Sequence, residues 1–303
     1  MTKNDITRGL IDFAVSQCLK NIKEDPYRSI RRLADLGRQF AKGRFQEELF
    51  SLFQRLLLNE DGPYYEMLKR LVSSVDTDSL KTLGINIGYN SWTCGASRLR
   101  QITVEKDYPH WLAEISLSPE SSASQLKEQL SAALKNGTYA FRLHMPAQSI
   151  TTDTRQLGLI REFPDCSFFL DFMDTDCTYS DDLLELTCSC DNLAFLVPFG
   201  SLQSRQLVDL LNARQRIYGV CRTYDNTNAA ERISDSQISE MLSWGSPLLF
   251  FLAAADTTQD NRLLVDNAIL DARLHQTYPA LLIHLDADVA RIQQLLLSSR
   301  KNL

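Results

Sequence analysis

The chain has 303 residues, of which 32 are basic and 38 acidic, a formal net charge of −6; 44% are hydrophobic, with 12 Gly and 9 Pro. This composition excludes disordered, collagen-like and low-complexity classes, and its mild acidity argues against nucleic-acid binding, which needs a strongly basic face. No apolar run is long enough to span a membrane, and Asp12 and Ser16 break the N-terminal apolar run, so neither a membrane segment nor a signal peptide is expected.

Residues 1–108 are expected to form an all-helical N-terminal extension. Ile6, Leu10, Phe13, Ala14 and Ile22 recur at helical spacing, and Asp25-Pro26 then punctuates. Ile30, Leu33, Ala34 and Phe40 make a second stripe; Phe45, Leu49, Phe53 and Leu56 make a third. After the break at Asn59-Glu60-Asp61-Gly62-Pro63, Tyr64, Met67, Leu68, Leu71 and Val75 make a fourth. Residues 1–58 carry 11 Lys/Arg against 7 Asp/Glu, and the remainder 21 against 31. The basic excess reads as a solvated helical surface or as a docking surface for an acidic partner. Segment 82–88 (TLGINIG) fits either a short strand or a helical linker.

From residue 109 the pattern changes. Apolar, β-prone runs lie at 111–118, 138–145, 166–173, 192–197, 216–224, 247–253 and 280–286. Amphipathic segments at 122–135, 152–163, 179–188, 201–214, 234–244 and 258–275 separate them. Seven strands alternating with six helices predict a parallel sheet wound by crossovers. Continuous apolar runs such as LLFFLA fit strands covered on both faces. No Gly-x-Gly-x-x-Gly follows the first strand, so the expected fold is α/β, a partial or closed TIM-barrel-like (βα) barrel over 109–303.

Chemistry in such barrels sits at the C-terminal strand ends. Glu114 and Ser116, Arg142 and His144, Asp171 and Asp174, Arg222, Tyr224 and Asp225, and His284, Asp286 and Asp288 occupy those ends. Alternation puts Arg142 with His144, Arg222 with Tyr224, and His284 with Asp286 on one side each. Facing inward, Glu114, Arg142, His144, Asp171, Arg222, Tyr224, His284 and Asp286 would line a mouth able to bind an anionic small molecule or to perform acid–base work. Facing elsewhere, they would pair with each other or cap the next helix.

Other chemistry has little support. The four histidines lack His-x-x-x-His or His-Glu-x-x-His spacing, and no metal site is expected. Gly-x-x-x-x-Gly-Lys-Ser/Thr and Gly-x-Ser-x-Gly are absent. Cys94, in Trp92-Thr93-Cys94-Gly95, has no evident base partner. The seven cysteines (18, 94, 166, 177, 188, 190 and 221) are scattered, without Cys-x-x-Cys, and read as cytoplasmic thiols.

The order and spacing of these segments resemble the radical S-adenosylmethionine (radical SAM) enzymes, in particular bacterial members with an N-terminal helical extension. Pro109-His110-Trp111-Leu112-Ala113 resembles the lead into the family's first barrel strand. Leu134-Lys135-Asn136-Gly137-Thr138-Tyr139 resembles its junction to the second, and Tyr218-Gly219-Val220-Cys221-Arg222-Thr223-Tyr224 its fifth strand. The resemblance implies a Cys-x-x-x-Cys-x-x-Cys loop after the first strand, whose thiolates hold a [4Fe–4S] cluster. Here that loop reads Leu117-Ser118-Pro119-Glu120-Ser121-Ser122-Ala123-Ser124, without a cysteine. The implied Gly-Gly-Glu-Pro stretch is replaced by Met145-Pro146-Ala147-Gln148, and no cysteine-rich auxiliary-cluster segment follows Asp286. The expectation is a degenerate member without cluster or SAM. It would act as a non-catalytic binding protein for a protein or peptide partner, such as an intact radical SAM enzyme. The alternatives are a cluster-free barrel enzyme and a small-ligand sensor.

Overall fold

The computed structural model describes residues 3–20, 22–41, 44–102, 109–117, 122–145, 154–172, 185 and 187–298. The chain starts with five helices: α1 (Lys3–Leu19), α2 (Pro26–Phe40), α3 (Arg44–Leu56), α4 (Pro63–Ser74) and α5 (Thr77–Ile85). Local chemistry sets their starts. Asp25 accepts from Arg28 N at 3.1 Å with Pro26 in the first turn, and Asp76 accepts from Ser79 N at 2.9 Å. A π-helix (Asn86–Gly95) and α6 (Ala96–Leu99) continue α5, so segment 82–88 is helical and contributes no strand. Leu19, Ile22, Ile30, Ala34, Leu57, Tyr65 and Val72 form this region's own buried core. The expected boundary at 108 lies outside the described residues.

Seven strands follow: β1 (Leu112–Ser116), β2 (Ala140–Met145), β3 (Ser167–Phe172), β4 (Leu193–Pro198), β5 (Tyr218–Tyr224), β6 (Leu248–Ala253) and β7 (Leu281–His284). They form one sheet in sequence order, every neighbouring pair parallel. The intervening helices include α7 (Ala123–Lys135), α8 (Thr154–Gly158), α9 (Leu202–Ala213), α10 (Ala229–Arg232), α11 (Asp235–Leu242) and α12 (Gln259–His275). Sequential parallel order with a crossover after each strand is the topology of a (βα) barrel, here TIM-barrel-like and open between β1 and β7.

Period-2 alternation divides the strands cleanly. Phe141, Leu143, Phe168, Leu170, Phe195, Val220, Leu249, Phe251 and Leu282 face outward, packed with Leu126, Leu207, Ile238, Met241, Val265 and Ile269 of the helices. Leu112, Ala140, Phe169, Ala194 and Leu248 face the lumen. Helix α13 (Leu285–Ser298) spans the open side. Its Val289, Ile292 and Leu296 pack with Leu112 and Ala140, and Val289 also packs with Phe250 and Ile283. Trp111 Nε1 donates to Val289 O at 3.0 Å, and Trp111 N to Gln293 Oε1 at 2.9 Å. Strand β7 therefore ends at His284, and Asp286 and Asp288 belong to a helix rather than to a strand end.

The helical extension covers the N-terminal ends of the strands. Asn86 Nδ2 donates to Pro164 O and Cys166 O, each at 2.9 Å, and Asn90 Nδ2 to Asp165 O at 2.9 Å. Asp76 N donates to Gln215 O at 2.8 Å, and Arg216 Nη1 bridges Ser79 Oγ at 2.6 Å and Asp191 Oδ1 at 3.1 Å. At Gly137 (φ 97°) the backbones touch, because a Cβ there would stand 2.7 Å from Gly95 O. This docking lies at the end opposite the C-terminal strand ends, which form the mouth; most of the segments that leave β1, β2 and β3 there lie outside the described residues. No helix among the described residues is long and apolar enough to cross a membrane.

Candidate functional site

Register decides which predicted residues meet. Glu114 pairs with Arg142, Ser116 with His144, and His144 with Asp171. Paired residues of a sheet share a face, so all of these point into the lumen. Glu114, Arg142, His144 and Asp171 form one cluster. Arg142 Nε and Nη2 donate to Asp171 Oδ2 at 2.9 and 2.6 Å, and Arg142 Nη1 donates to Glu114 Oε1 at 3.0 Å. His144 Nε2 meets Glu114 Oε2 at 3.2 Å. His144 Nδ1 stands 3.3 Å from Asp171 Oδ2 but off the hydrogen-bond axis, so that contact acts through charge. The side chains of Asp171, Arg142 and His144 are 6%, 7% and 10% exposed, whereas Glu114 is 51% exposed.

These neighbours move the proton affinities apart. Asp171, then Glu114, holds His144 protonated up to about 9 against the cost of burial. Donation from His144, then the charges of Arg142 and His144, brings Glu114 down to about 2. With His144 protonated the four charges cancel. Cys221 lies close by in the lumen with Leu196 and Phe250, and burial raises its thiol well above the usual range. A hollow of about 200 Å³ adjoins the end of β1, walled in part by Ser116, Gln125 and Gln129.

The other four predicted residues do not join the cluster. Arg222 and His284 both pair in register with Phe251, whose side chain faces the helical layer, and Tyr224 shares Arg222's face. The expectation that they line the mouth is therefore corrected. Strand alternation fixed their companions but not which face looks inward. Arg222 stacks on Phe199, 4.5 Å from the ring centroid, and donates to Gln237. Tyr224 Oη and His284 Nε2 are 2.6 Å apart, with the two residues 1% and 2% exposed. Asp286, in the first turn of α13, meets Arg262 at 3.4 Å.

The outer group has partners that no strand-end pattern signals. His284 N donates to Asp288 Oδ2 at 3.0 Å, Arg273 Nη1 to Asp288 Oδ1 at 2.9 Å, and Arg291 Nη2 to Asp266 Oδ2 at 2.8 Å. Both Asp266 and Arg273 lie on α12, Arg273 four residues after the buried Ile269. His284 Nδ1 is buried without a hydrogen bond, 3.7 Å from Asp266 Oδ1. Burial lowers the proton affinity of His284 despite Asp266, Asp286 and Asp288, and raises Tyr224 to about 12. The pair is neutral, and the phenol donates to the imidazole.

Of the described cysteines, Cys221 faces the lumen. Cys166, Cys188 and Cys190 precede β3 and β4 at the covered end, Cys18 and Cys94 belong to the extension, and the loop after β1 contains no cysteine. Among the described residues no three His, Cys, Asp or Glu side chains are arranged to hold a metal ion. Residues Ser118–Ser121, Pro146–Gln148, Asp174 and Cys177 lie outside the described residues.

No protein-family model and no curated protein matches the sequence. Among solved structures, SuiB from Streptococcus suis is similar with a TM-score of 0.44 and 8% identity, over 72% of this chain and 64% of SuiB. A member of the enolase superfamily from Listeria innocua is similar with a TM-score of 0.38 and 16% identity, over 94% of this chain and 67% of that protein. This chain spans less than two thirds of SuiB's length. Neither likeness informs the chemistry, and the barrel assignment rests on the seven-strand topology.

Proposed function

We propose that this chain is a barrel-fold binding protein of radical-SAM-like ancestry that does not carry out radical SAM chemistry. Its mouth engages a partner protein or peptide through Glu114. The observation that carries this reading is the state of the inner cluster. Its arginine, histidine and aspartate are buried and mutually neutralised, and the one member open to the mouth is a carboxylate. Such a surface favours an ammonium or guanidinium group over the anionic ligand that the sequence suggests. The acidic excess after residue 58 favours the same sign of partner. The proton affinities weigh against acid–base catalysis: a carboxylate near 2 and an imidazolium near 9 are poor proton carriers at neutral pH. The cytoplasm, where thiols stay reduced, suits the cysteine pattern.

Calorimetric titration with a Lys/Arg-rich peptide and with the same peptide rebuilt from Glu tests the reading. Saturable binding of the basic peptide, weakened at least tenfold by Glu114→Gln and by raised salt, is the expected result. Equal binding by wild type and E114Q, or a preference for the acidic peptide, overturns it. Iron and sulfide analysis after anaerobic reconstitution tests the loss of radical SAM chemistry: one stoichiometric [4Fe–4S] cluster per chain defeats that clause.

A further inference from the structure

The sheet ends in two edges, β1 and β7, and the fold treats them differently. In a parallel pair alternate residues turn their N–H and C=O groups to the neighbouring strand, and the residues between turn theirs away. Leu281 N donates to Pro247 O at 2.9 Å, so Leu281 and Ile283 bond β6, and Leu282 and His284 face the gap. Each has a side-chain partner there: Leu282 O accepts from Arg273 Nε at 2.6 Å, and His284 N donates to Asp288 Oδ2 at 3.0 Å. On β1, Leu117 N donates to His144 O at 2.9 Å, so Ala113, Ile115 and Leu117 bond β2, and Glu114 and Ser116 face the gap. No group among the described residues bonds the backbone of Glu114 or Ser116 on that side. Helix α13 meets β1 at Trp111 and Leu112, the covered end of the strand.

An unpaired strand edge is a template for another extended backbone. The flanking side chains name the residues of the added chain. A residue placed beside Glu114 shares the lumen face. There the Glu114 carboxylate is 51% exposed and suits a lysine or arginine. The next residue turns to the helical layer, where the hollow of about 200 Å³ separates the end of β1 from Gln125, Leu126 and Gln129 of α7. The described residues that line this hollow include no charged one, so it suits an uncharged side chain.

We infer that the partner peptide of the mouth binds as an added strand on the free edge of β1, with a basic side chain on Glu114 and the next, uncharged side chain in the hollow. The inference rests on the proposed role of Glu114 and adds main-chain recognition to it. The probe is a peptide alternating Lys and Ser, and the first test is hydrogen exchange of the full chain followed by NMR. The Glu114 and Ser116 amides should exchange freely before binding and be protected after it, while the Ile115 amide is protected throughout. Calorimetric titration is the second test, with the peptide N-methylated on the backbone of its Lys residues or of its Ser residues. One of the two methylated peptides should bind roughly tenfold weaker or worse, and the other should bind as the parent does. Ser116→Pro removes an N–H that faces the gap, a place where strands accept proline, so it should unfold cooperatively and bind weakly.

Binding that E114Q weakens, without protection of these amides and with equal affinity for the two methylated peptides, overturns the added strand and leaves the role of Glu114 standing. Full affinity in a folded S116P also overturns the added strand. Protection of the edge amides with equal binding by wild type and E114Q overturns the placement of the basic side chain. No saturable binding of the alternating peptide or of the Lys/Arg-rich one overturns both the added strand and the role of Glu114.

Discussion

Two buried histidines sit on opposite faces of the same sheet, and their surroundings drive them in opposite directions. His144, in the lumen, is held between Glu114 and Asp171 and keeps its proton up to about 9. His284, in the helical layer, meets a phenol through Nε2 and keeps no close carboxylate on Nδ1, so burial wins and its proton affinity falls. The difference lies in distance. A carboxylate at 3.2–3.3 Å outweighs desolvation, whereas one at 3.7 Å without a hydrogen bond does not. One cluster is an ion network and the other a neutral clamp joining β5, β7 and the helices around them.

The comparison breaks first at Arg142. Arg142→Met removes both hydrogen bonds to the buried Asp171 and leaves it only the His144 imidazolium as counter-charge, and denaturant unfolding should show a loss of about 3 kcal/mol, mostly recovered in R142M/D171L. A loss no larger than that of a surface ion pair would mean that the inner cluster is solvated and the contrast false. Next comes pH. Unfolded imidazoles titrate near 6.5. His144, raised in the fold, contributes stability that is complete below that value and lost as pH climbs to about 9. His284, lowered in the fold, contributes stability that is present above 6.5 and lost as pH falls below it. Tm should therefore peak near pH 6–7. His144→Gln should flatten the alkaline limb and cost at most about 3 kcal/mol at pH 6, and His284→Asn should flatten the acid limb. Coincident limbs in the two variants would show that the histidines share one environment. Tyr224→Phe removes the 2.6 Å bond and leaves His284 Nε2 without its donor, a loss of about 1–3 kcal/mol in thermal unfolding. Asp286→Asn is the smallest: its pair with Arg262 is half-exposed and should move stability by under about 1 kcal/mol.

The barrel was legible because its strands are apolar runs bounded by turn signals, and each of the seven expected runs overlaps the corresponding strand with ends agreeing to within two residues. The site was half legible. In β2 the outward set is Phe141 and Leu143, which sends Arg142 and His144 to the lumen. In β5 the residues left for the lumen face are Gly219, Cys221 and Thr223, too small to advertise an inward face, so Arg222 and Tyr224 follow Tyr218 and Val220 outward. Alternation yields two sides, and only the neighbours across the sheet say which is inside. Helix α13 escaped notice because the run 280–286 ends in polar residues that look like a strand end. Leu285, Val289, Ile292 and Leu296 at helical spacing carry the missing signal.

That last helix has a kinetic consequence. The hydrogen bonds from Trp111 to Val289 and Gln293 close loops of 178 and 182 residues. During synthesis β1 and the apolar lumen wait beside an unfinished wall until residues 285–298 have left the ribosome. Contacts this distant in sequence slow folding and lengthen the exposure of unpaired strand edges. Loss of this one helix should therefore show itself as aggregation of the nascent chain well before it shows as altered binding at the mouth.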